Sequence, residues 1–329
     1  AEVTRFGCAT VEIVQRSLSV NECTKTERWS TMLDVQELWL DHKIKARDEE
    51  GPKPTAFDTP FRVSDAGACI RKRTFAAHGA PHSDEFSAQT FMAFEVGTAV
   101  HESIQAALEA GGDGWHFEAE VPLDLTEASK RVGQHVSGEP HHAIEMFGLS
   151  GHCDGILTNS HTGHRTILEI KTVSGYAAKL AWSGGPKREH IAQAGLYALG
   201  ADADSILIVY VAKEGDWRSG IKAGDMRQWE YGLHEIHPDG GQSVYDIAMD
   251  ELRHFQIAAR YYASGQIAPA YVPDDYGNLA YVEERPEYMQ KGGKPWQCAY
   301  CNYNTLCQTL SADEMSVELI ETISNRKAT

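Results

Sequence analysis

The chain predicts an α/β fold: a strand-rich centre with helices around it and a helical N-terminal arm. Two observations carry this. Helical apolar spacing fills the first third of the chain and returns at 188–199 and 243–263. Between these stretches, 115–123, 146–158, 165–173 and 205–212 read with period two or as short apolar runs bounded by turn residues. Strands interleaved with helices are the pattern of a sheet covered on its faces. With 329 residues, 42% of them hydrophobic, the chain can bury a sizeable core.

The elements follow in order. Residues 27–48 carry Trp29, Met32, Leu33, Val35, Leu38 and Leu40 as a rough helical stripe, ended by GPKPTAFDTP at 51–60. Ser64 and Asp65 are candidate caps for a short helix running through Cys69 towards Phe75. A longer helix spans 88–110 and closes on Gly111 and Gly112. WHFEAEVPL, MFGLSGHCDGILT and RTILEIKTV then predict three strands, the last two joined by NSHTGH. After the helix at 188–199, SILIVYVA is a buried strand. MRQWEYGLHEI alternates, with Trp229, Tyr231 and Leu233 on one face. The helix at 243–263 is amphipathic, and an irregular stretch leads to a cysteine cluster.

Composition narrows the function. The longest clean apolar run, 206–212, is far shorter than the ~20 residues of a membrane helix, so no membrane partner is expected. The N-terminus shows no charged start followed by an apolar block. Seven cysteines, an odd number, argue against a disulfide framework and for a reducing, cytoplasmic setting. The net charge of −17 (30 basic minus 47 acidic residues) excludes general adhesion to nucleic acid, so any DNA must meet a local groove.

One strand is chemically odd. TILEIKT, at 166–172, places Glu169 and Lys171 two apart, on the same face of what should be a buried strand. The preceding strand carries Asp154, and a hairpin between the two would bring Asp154 near Glu169. Two adjacent carboxylates repel, which favours a divalent cation between them. Hard oxygen ligands suit Mg²⁺ or Mn²⁺. The alternative for Glu169 and Lys171 alone is an edge-strand ion pair.

Asp, then E-x-K on the next strand, resembles the PD-(D/E)XK nuclease superfamily. Further motifs are similar to its RecB-like branch: GTAVH, ending at His101, before the first strand, and Gln193-Ala-Gly-Leu-Tyr197 on the helix after the lysine. The motifs run in family order over roughly 64–307. The resemblance implies a central mixed β-sheet flanked by helices, with Lys171, Glu169, Asp154, Gln193 and Tyr197 in the active site. It implies a cation held by His101, Asp154, Glu169 and the backbone carbonyl of Ile170. His101 shares a helical face with Ile104 and Leu108, so it points inward, and a satisfied core histidine is the competing reading. His190 joins Gln193 and Tyr197 on one helix face. No proline precedes Asp154, a departure common in this branch. Cys153 points away from Asp154's face and reads as a core thiol.

WQCAYCNYNTLC gives Cys298-x₂-Cys301-x₅-Cys307. Three clustered cysteines need a fourth ligand, from Cys8, Cys23, Cys69 or Cys153, and spacing alone leaves zinc and iron–sulfur open. The AddB and CRISPR-associated iron–sulfur nucleases use one cysteine upstream of the core and three downstream with this spacing. SDAGACIRKRTF looks like their upstream segment, so the resemblance implies a [4Fe–4S] cluster on Cys69, Cys298, Cys301 and Cys307. Such a cluster would join a 1–85 arm to a 266–329 segment around a nuclease core at 86–265. Arg71, Lys72 and Arg73, with Lys179, Lys187 and Arg188, are candidates for a phosphate-binding track. Trp296, Tyr300 and Tyr303 either stack on single-stranded bases or pack around the cluster.

The implied activity is a metal-dependent DNA exonuclease acting on linear single- or double-stranded ends and leaving 5′ phosphates. No Walker A motif is present. A recombination enzyme of phage type, supplying strands to a single-strand annealing protein in a bacterial or phage-infected cell, is the leading expectation. A CRISPR spacer-processing nuclease is the close alternative, and RNA is a further substrate class. The reading of another class is a catalytically inactive, cluster-stabilised nucleic-acid-binding module.

Overall fold

Apolar β-branched runs seek the middle of a sheet, and here two of them lie side by side. Strand β5 (Ser205–Ala212) pairs in parallel with β4 (Arg165–Val173) over the full length of β5. The computed structural model describes residues 35–50, 57–112, 114–133, 146–236, 241–273, 278–281 and 296–309.

In chain order the elements are α1 (Val35–Glu50), β1 (Phe61–Arg62), a 3-10 turn (Val63–Asp65), α2 (Ile70–Ala77), α3 (Ala88–Ala110), β2 (Trp115–Asp124), α4 (Thr126–Gly133), β3 (Leu149–Asn159), β4, α5 (Gly175–Gly184), α6 (Arg188–Ala201), β5, β6 (Met226–Gly232), α7 (Val244–Ala263), β7 (Tyr271–Pro273), β8 (Leu279–Tyr281), α8 (Trp296–Ala299) and α9 (Asn304–Thr309). Among the described residues, β1 to β6 form one mixed sheet in the order β1-β3-β4-β5-β6, with β2 on the other side of β3. This is the expected central mixed sheet flanked by helices.

One detail of the pairing positions everything that follows. Antiparallel β2 covers β3 from Ser150 to Asn159. On the opposite edge, β1 takes Leu149 and Ser150, and β4 takes Gly155 to Thr158. Between them β3 parts from β4, and Asp154 stands at the fork. Gly155 is required there: an added Cβ would sit 2.2 Å from the Phe117 ring and 3.0 Å from the Glu118 carbonyl on β2.

The two faces of the sheet are covered differently. Ile167, Ile206, Ile208 and Tyr210 pack against α6 and α7 in the larger core. Leu168, Ile170, Val209 and Val211 face the other way, where Val100, Ile104 and Leu108 of α3 cover them. The inward stripe read for His101's helix is therefore real. Cys153 is fully buried in the larger core, as read, and burial first, then Glu169 and Asp154, push its thiol up to about 12.

The N-terminal arm needs correcting after α1. Phe61–Arg62 is a sheet strand, and Ile70 packs in the main core, so 57–77 is integral to the fold. Helix α2 starts at Cys69, not at Ser64–Asp65, which form the 3-10 turn instead. The C-terminal segment docks on this same region. The Ser83 N–H donates to the Asn302 carbonyl (2.9 Å), and the Thr305 N–H to Asp84 Oδ2 (2.8 Å). Phe75, Ala80, Ile267, Tyr303 and Leu306 form a second small core beneath. Among the described residues no helix is long and apolar enough to cross a membrane.

Candidate active site

Because β3 leaves β4 at Asp154, one β4 amide in the gap is answered by a side chain. The Ile170 N–H donates to Asp154 Oδ2 at 2.6 Å. The other oxygen, Oδ1, lies 3.4 Å from His101 Nδ1. Helix α3 is seated by its cap, where Ser87 Oγ accepts the Thr90 N–H (3.2 Å). His101 and Gln105 are one helical turn apart on it, so both reach the fork. Gln105 Nε2 donates to the Asp154 backbone carbonyl (2.8 Å) and to Glu120 Oε1 (2.7 Å).

On the α6 side of β4, Glu169 is 1% exposed, and Lys171 Nζ lies 2.5 Å from its Oε1. Lys171 Nζ also donates to Gln193 Oε1 at 3.1 Å. Gln193 in turn shares a hydrogen bond with Tyr197. Tyr197 is fully buried under β3, where glycine at 151 makes room: a Cβ there would sit 2.8 Å from the Tyr197 hydroxyl. Tyr197 therefore supports the site from below and does not face solvent. Neighbouring His190 bonds Tyr210 (Nδ1 to Oη, 2.5 Å), and burial first, then Lys171 and Lys187, push its pKa well down.

The electrostatics follow from burial. Burial raises the Glu169 carboxyl, Lys171 opposes the rise, and Asp154 adds to it; the net direction is up. For Lys171 burial acts downward, but Glu169 more than offsets it and keeps the ammonium charged. His101 is likewise lowered by burial and raised further by Asp154, with a net rise. Apart from the ion pair with Lys171, neither oxygen of Glu169 accepts a hydrogen bond of normal geometry among the described residues. Asp154 and His101 offer the carboxylate and imidazole donors that a hard divalent cation takes, and they stand close enough to share one ion. Glu169 lies beyond that distance and is paired with Lys171, so it would have to turn to join them. Ile170 meets Asp154 through its N–H, a contact the sequence reading did not include.

The sequence reading missed Glu120. One oxygen of Glu120, one of Asp154 and one nitrogen of His101 all lie within 4.8 Å of one another. Nothing in EAEVPL marks this residue, because its partner Gln105 is contributed by another element.

The basic track is corrected. Arg73 is fully buried and pairs with Glu251 of α7, its guanidinium 4.0 Å over the Phe255 ring. Arg71 is also buried: Nε donates to the Ala268 carbonyl (3.0 Å) and Nη1 to Cys307 Sγ (3.3 Å). Lys72 pairs with Asp65 at 3.0 Å. Arg188 is held by Gln242 and Asp250, and Lys187 pairs with Glu189. Only Lys179 of the six is exposed without a charge partner within ion-pair distance among the described residues. The run RKR lies on a helix packed between α7 and the C-terminal segment, so its charges answer internal partners.

All four cysteines named for the cluster line one cavity of about 230 Å³. Cys69 is the N-cap of α2, with its sulfur close to the backbone N–H groups of Lys72 and Arg71. Burial raises its thiol, and the nearby N–H groups of Lys72 and Arg71 oppose the rise. Cys8 and Cys23 lie outside the described residues. Tyr303 is buried against Phe75 (ring centroids 5.4 Å apart), so it packs, whereas Tyr300 is 85% exposed.

No family model matches the chain, and no curated protein matches it. Among solved structures, one titled SSO0001 is similar at 16% identity and a TM-score of 0.45, covering 84% of this chain and 98% of its own. An alkaline exonuclease from Laribacter hongkongensis is similar at 11% identity and a TM-score of 0.37, covering 62% and 89%. The same exonuclease in complex with dAMP gives 12% and 0.38, covering 62% and 90%. Likenesses this weak do not assign an activity.

Proposed function

We propose that the chain is a divalent-cation-dependent deoxyribonuclease that degrades linear DNA from its ends and leaves 5′ phosphates. The observation that carries the hydrolytic reading is the convergence at the β3–β4 fork of Asp154, His101 and the buried Glu169–Lys171 pair. An inert binding module has no use for a buried Glu169–Lys171 ion pair set beside a second carboxylate and an imidazole. The exonuclease form, and a role in preparing ends for recombination, rest on the motif resemblance.

Asp154, Glu169 and His101 would hold Mg²⁺ or Mn²⁺, which when bound supplies an acidified water and charge neutralisation at the phosphate. The rest is the work of the chain's own groups. Lys171, kept charged by Glu169 and aimed by Gln193, stabilises negative charge growing on the scissile phosphate. Tyr197 and Gln193 fix the ammonium's position. Asp154 is locked by the Ile170 N–H, so its free oxygen keeps one direction.

The test is loss of end-labelled linear DNA with Mg²⁺ or Mn²⁺ against EDTA, with closed circular DNA and RNA as comparison substrates. Cleavage of linear DNA only with metal supports the proposal. Inertness on every substrate removes it and favours the binding module.

The four cysteines lining one cavity would hold the [4Fe–4S] cluster that the motif resemblance implies, with zinc as the competing occupant. Anaerobically purified protein is expected to carry about four irons and four acid-labile sulfides per chain, and Cys69→Ala to lose both and melt earlier. Zinc without sulfide would overturn this.

A further inference from the structure

Glu120 has an unusual backbone for its place. It lies inside β2, yet its φ is +48°, a left-handed value that side chains other than glycine's adopt only at a cost. Ladder pairing continues on either side of it, Ala119 with Gly155 and Val121 with Cys153, without a change of register. So the distortion serves no inserted residue. Its effect is local: the Glu120 carboxylate comes to Gln105 Nε2 and to within 4.8 Å of donor atoms of His101 and Asp154.

We propose that Glu120 is a ligand of the same divalent cation site, binding together with His101 and Asp154, and that Gln105 is its positioning residue. The inference rests on the cation-dependent reading of this centre. The distances suit a single ion. Octahedral ligands at about 2.1 Å stand about 3 Å apart when adjacent and about 4.2 Å when opposite. A carboxylate placed beside Asp154 would otherwise add repulsion to a centre that already holds Glu169. Glu169 is buried and paired with Lys171, and its charge acts on Asp154 from the neighbouring strand. Gln105 is itself 7% exposed, and one amide nitrogen serves both Glu120 and the Asp154 backbone. It therefore ties the position of Glu120 to that of Asp154. The burial of Gln105 beside two acceptors makes it a support rather than a surface contact.

Two variants separate a ligand from a merely structural acidic residue. Glu120→Gln keeps the shape and the Gln105 contact but loses the anion. Glu120→Gly removes the side chain and relieves the left-handed φ. Mn²⁺ binding is followed through the electron paramagnetic resonance of the free ion, and folding through thermal melting. The expected result is at least tenfold weaker Mn²⁺ binding in both variants, roughly the scale of losing one support of a metal site. Glu120→Gly should melt no earlier than wild type, and Gln105→Leu should also bind Mn²⁺ more weakly. Unchanged Mn²⁺ affinity in Glu120→Gln, or a wild type that binds no Mn²⁺, overturns the inference. A wild type that binds Mn²⁺ through Glu120 yet cleaves no nucleic acid removes the nuclease reading and leaves this one standing. A wild type that cleaves with Mn²⁺ while Glu120→Gln binds it equally removes this one alone.

Discussion

Lys171→Ala is expected to lower the cleavage rate by roughly 10²–10³, the scale of one lost transition-state donor in a dry site. The loss should fall on kcat, with KM little changed, because Lys171 lies 25% exposed beneath the fork and serves charge that develops only during reaction. The fold should survive. Without the ammonium, Glu169 can take a proton, and its pKa already lies above the ordinary value because it is buried. With the cation present the alanine variant should bind Mn²⁺ at least as tightly as wild type, since one competing positive charge is gone. Glu169→Gln predicts the contrasting pattern, with cleavage and Mn²⁺ binding lost together. Gln193→Leu falls between them: Lys171 keeps its charge but loses the 3.1 Å contact that aims it. Rates, KM and Mn²⁺ affinity measured on the three variants separate the roles. A Lys171→Ala variant that cleaves like wild type removes this strand from the chemistry.

How much of this was legible in the chain depends on how local each cause is. The helix at 88–110 and the strands at 165–173 and 205–212 match the structure end to end, because each is set by its own apolar period and its flanking turn residues. The meeting of Asp154 with β4 followed from one hairpin, joined by six residues. Helix α5 was missed because GYAAKLAWSG begins and ends on glycine and shows no apolar period, while its cap is the single contact of Ser174 Oγ with the Ala177 N–H. Strands β7 and β8 are three residues each and pair with one another, whereas β1 depends on a distant partner, Leu149 and Ser150 of β3. The basic run at 71–73 misled for the same reason. A row of charges reads as a surface until its partners are known, and Glu251 lies 178 residues away from Arg73. Glu120 was invisible because what marks it, a left-handed φ and a contact with Gln105, is tertiary.

That long-range partner sets the largest expected effect on stability. Helix α2 is joined to α7 by a charge cluster sealed from water: the side chain of Arg73 is 0% exposed and that of Glu251 is 5% exposed. Glu251 also accepts the Gly67 N–H (3.1 Å) and contacts His254 Nδ1 (3.1 Å). Among the described residues Arg73 Nε and Nη1 have no hydrogen-bond partner, so Glu251 and the Phe255 ring carry most of the compensation for that buried charge. Glu251→Gln leaves the guanidinium buried and uncompensated, which costs about 3–5 kcal/mol and lowers Tm by roughly 10 °C in a chain of this size. Replacing both partners by apolar residues, as Arg73→Met with Glu251→Leu, should recover most of the loss, because no charge is then left buried. The pH dependence has a definite sign. Burial pushes the Glu251 carboxyl up, but Arg73, His254 and the Gly67 N–H outweigh it and hold it at about 2, below the usual 4.5. A depressed carboxyl contributes its full stability above 4.5 and loses it as pH falls towards 2. Wild type should therefore lose stability across that window more steeply than the apolar pair, as acid titration followed by circular dichroism would register. The consequence reaches the cysteine cavity, since Cys69 caps α2 and Arg71 on the same helix contacts Cys307. With the proposed cluster in place, loosening α2 from α7 should release its iron from Glu251→Gln before the helical signal falls. A variant that melts like wild type would mean that α2 is anchored by its apolar contacts alone.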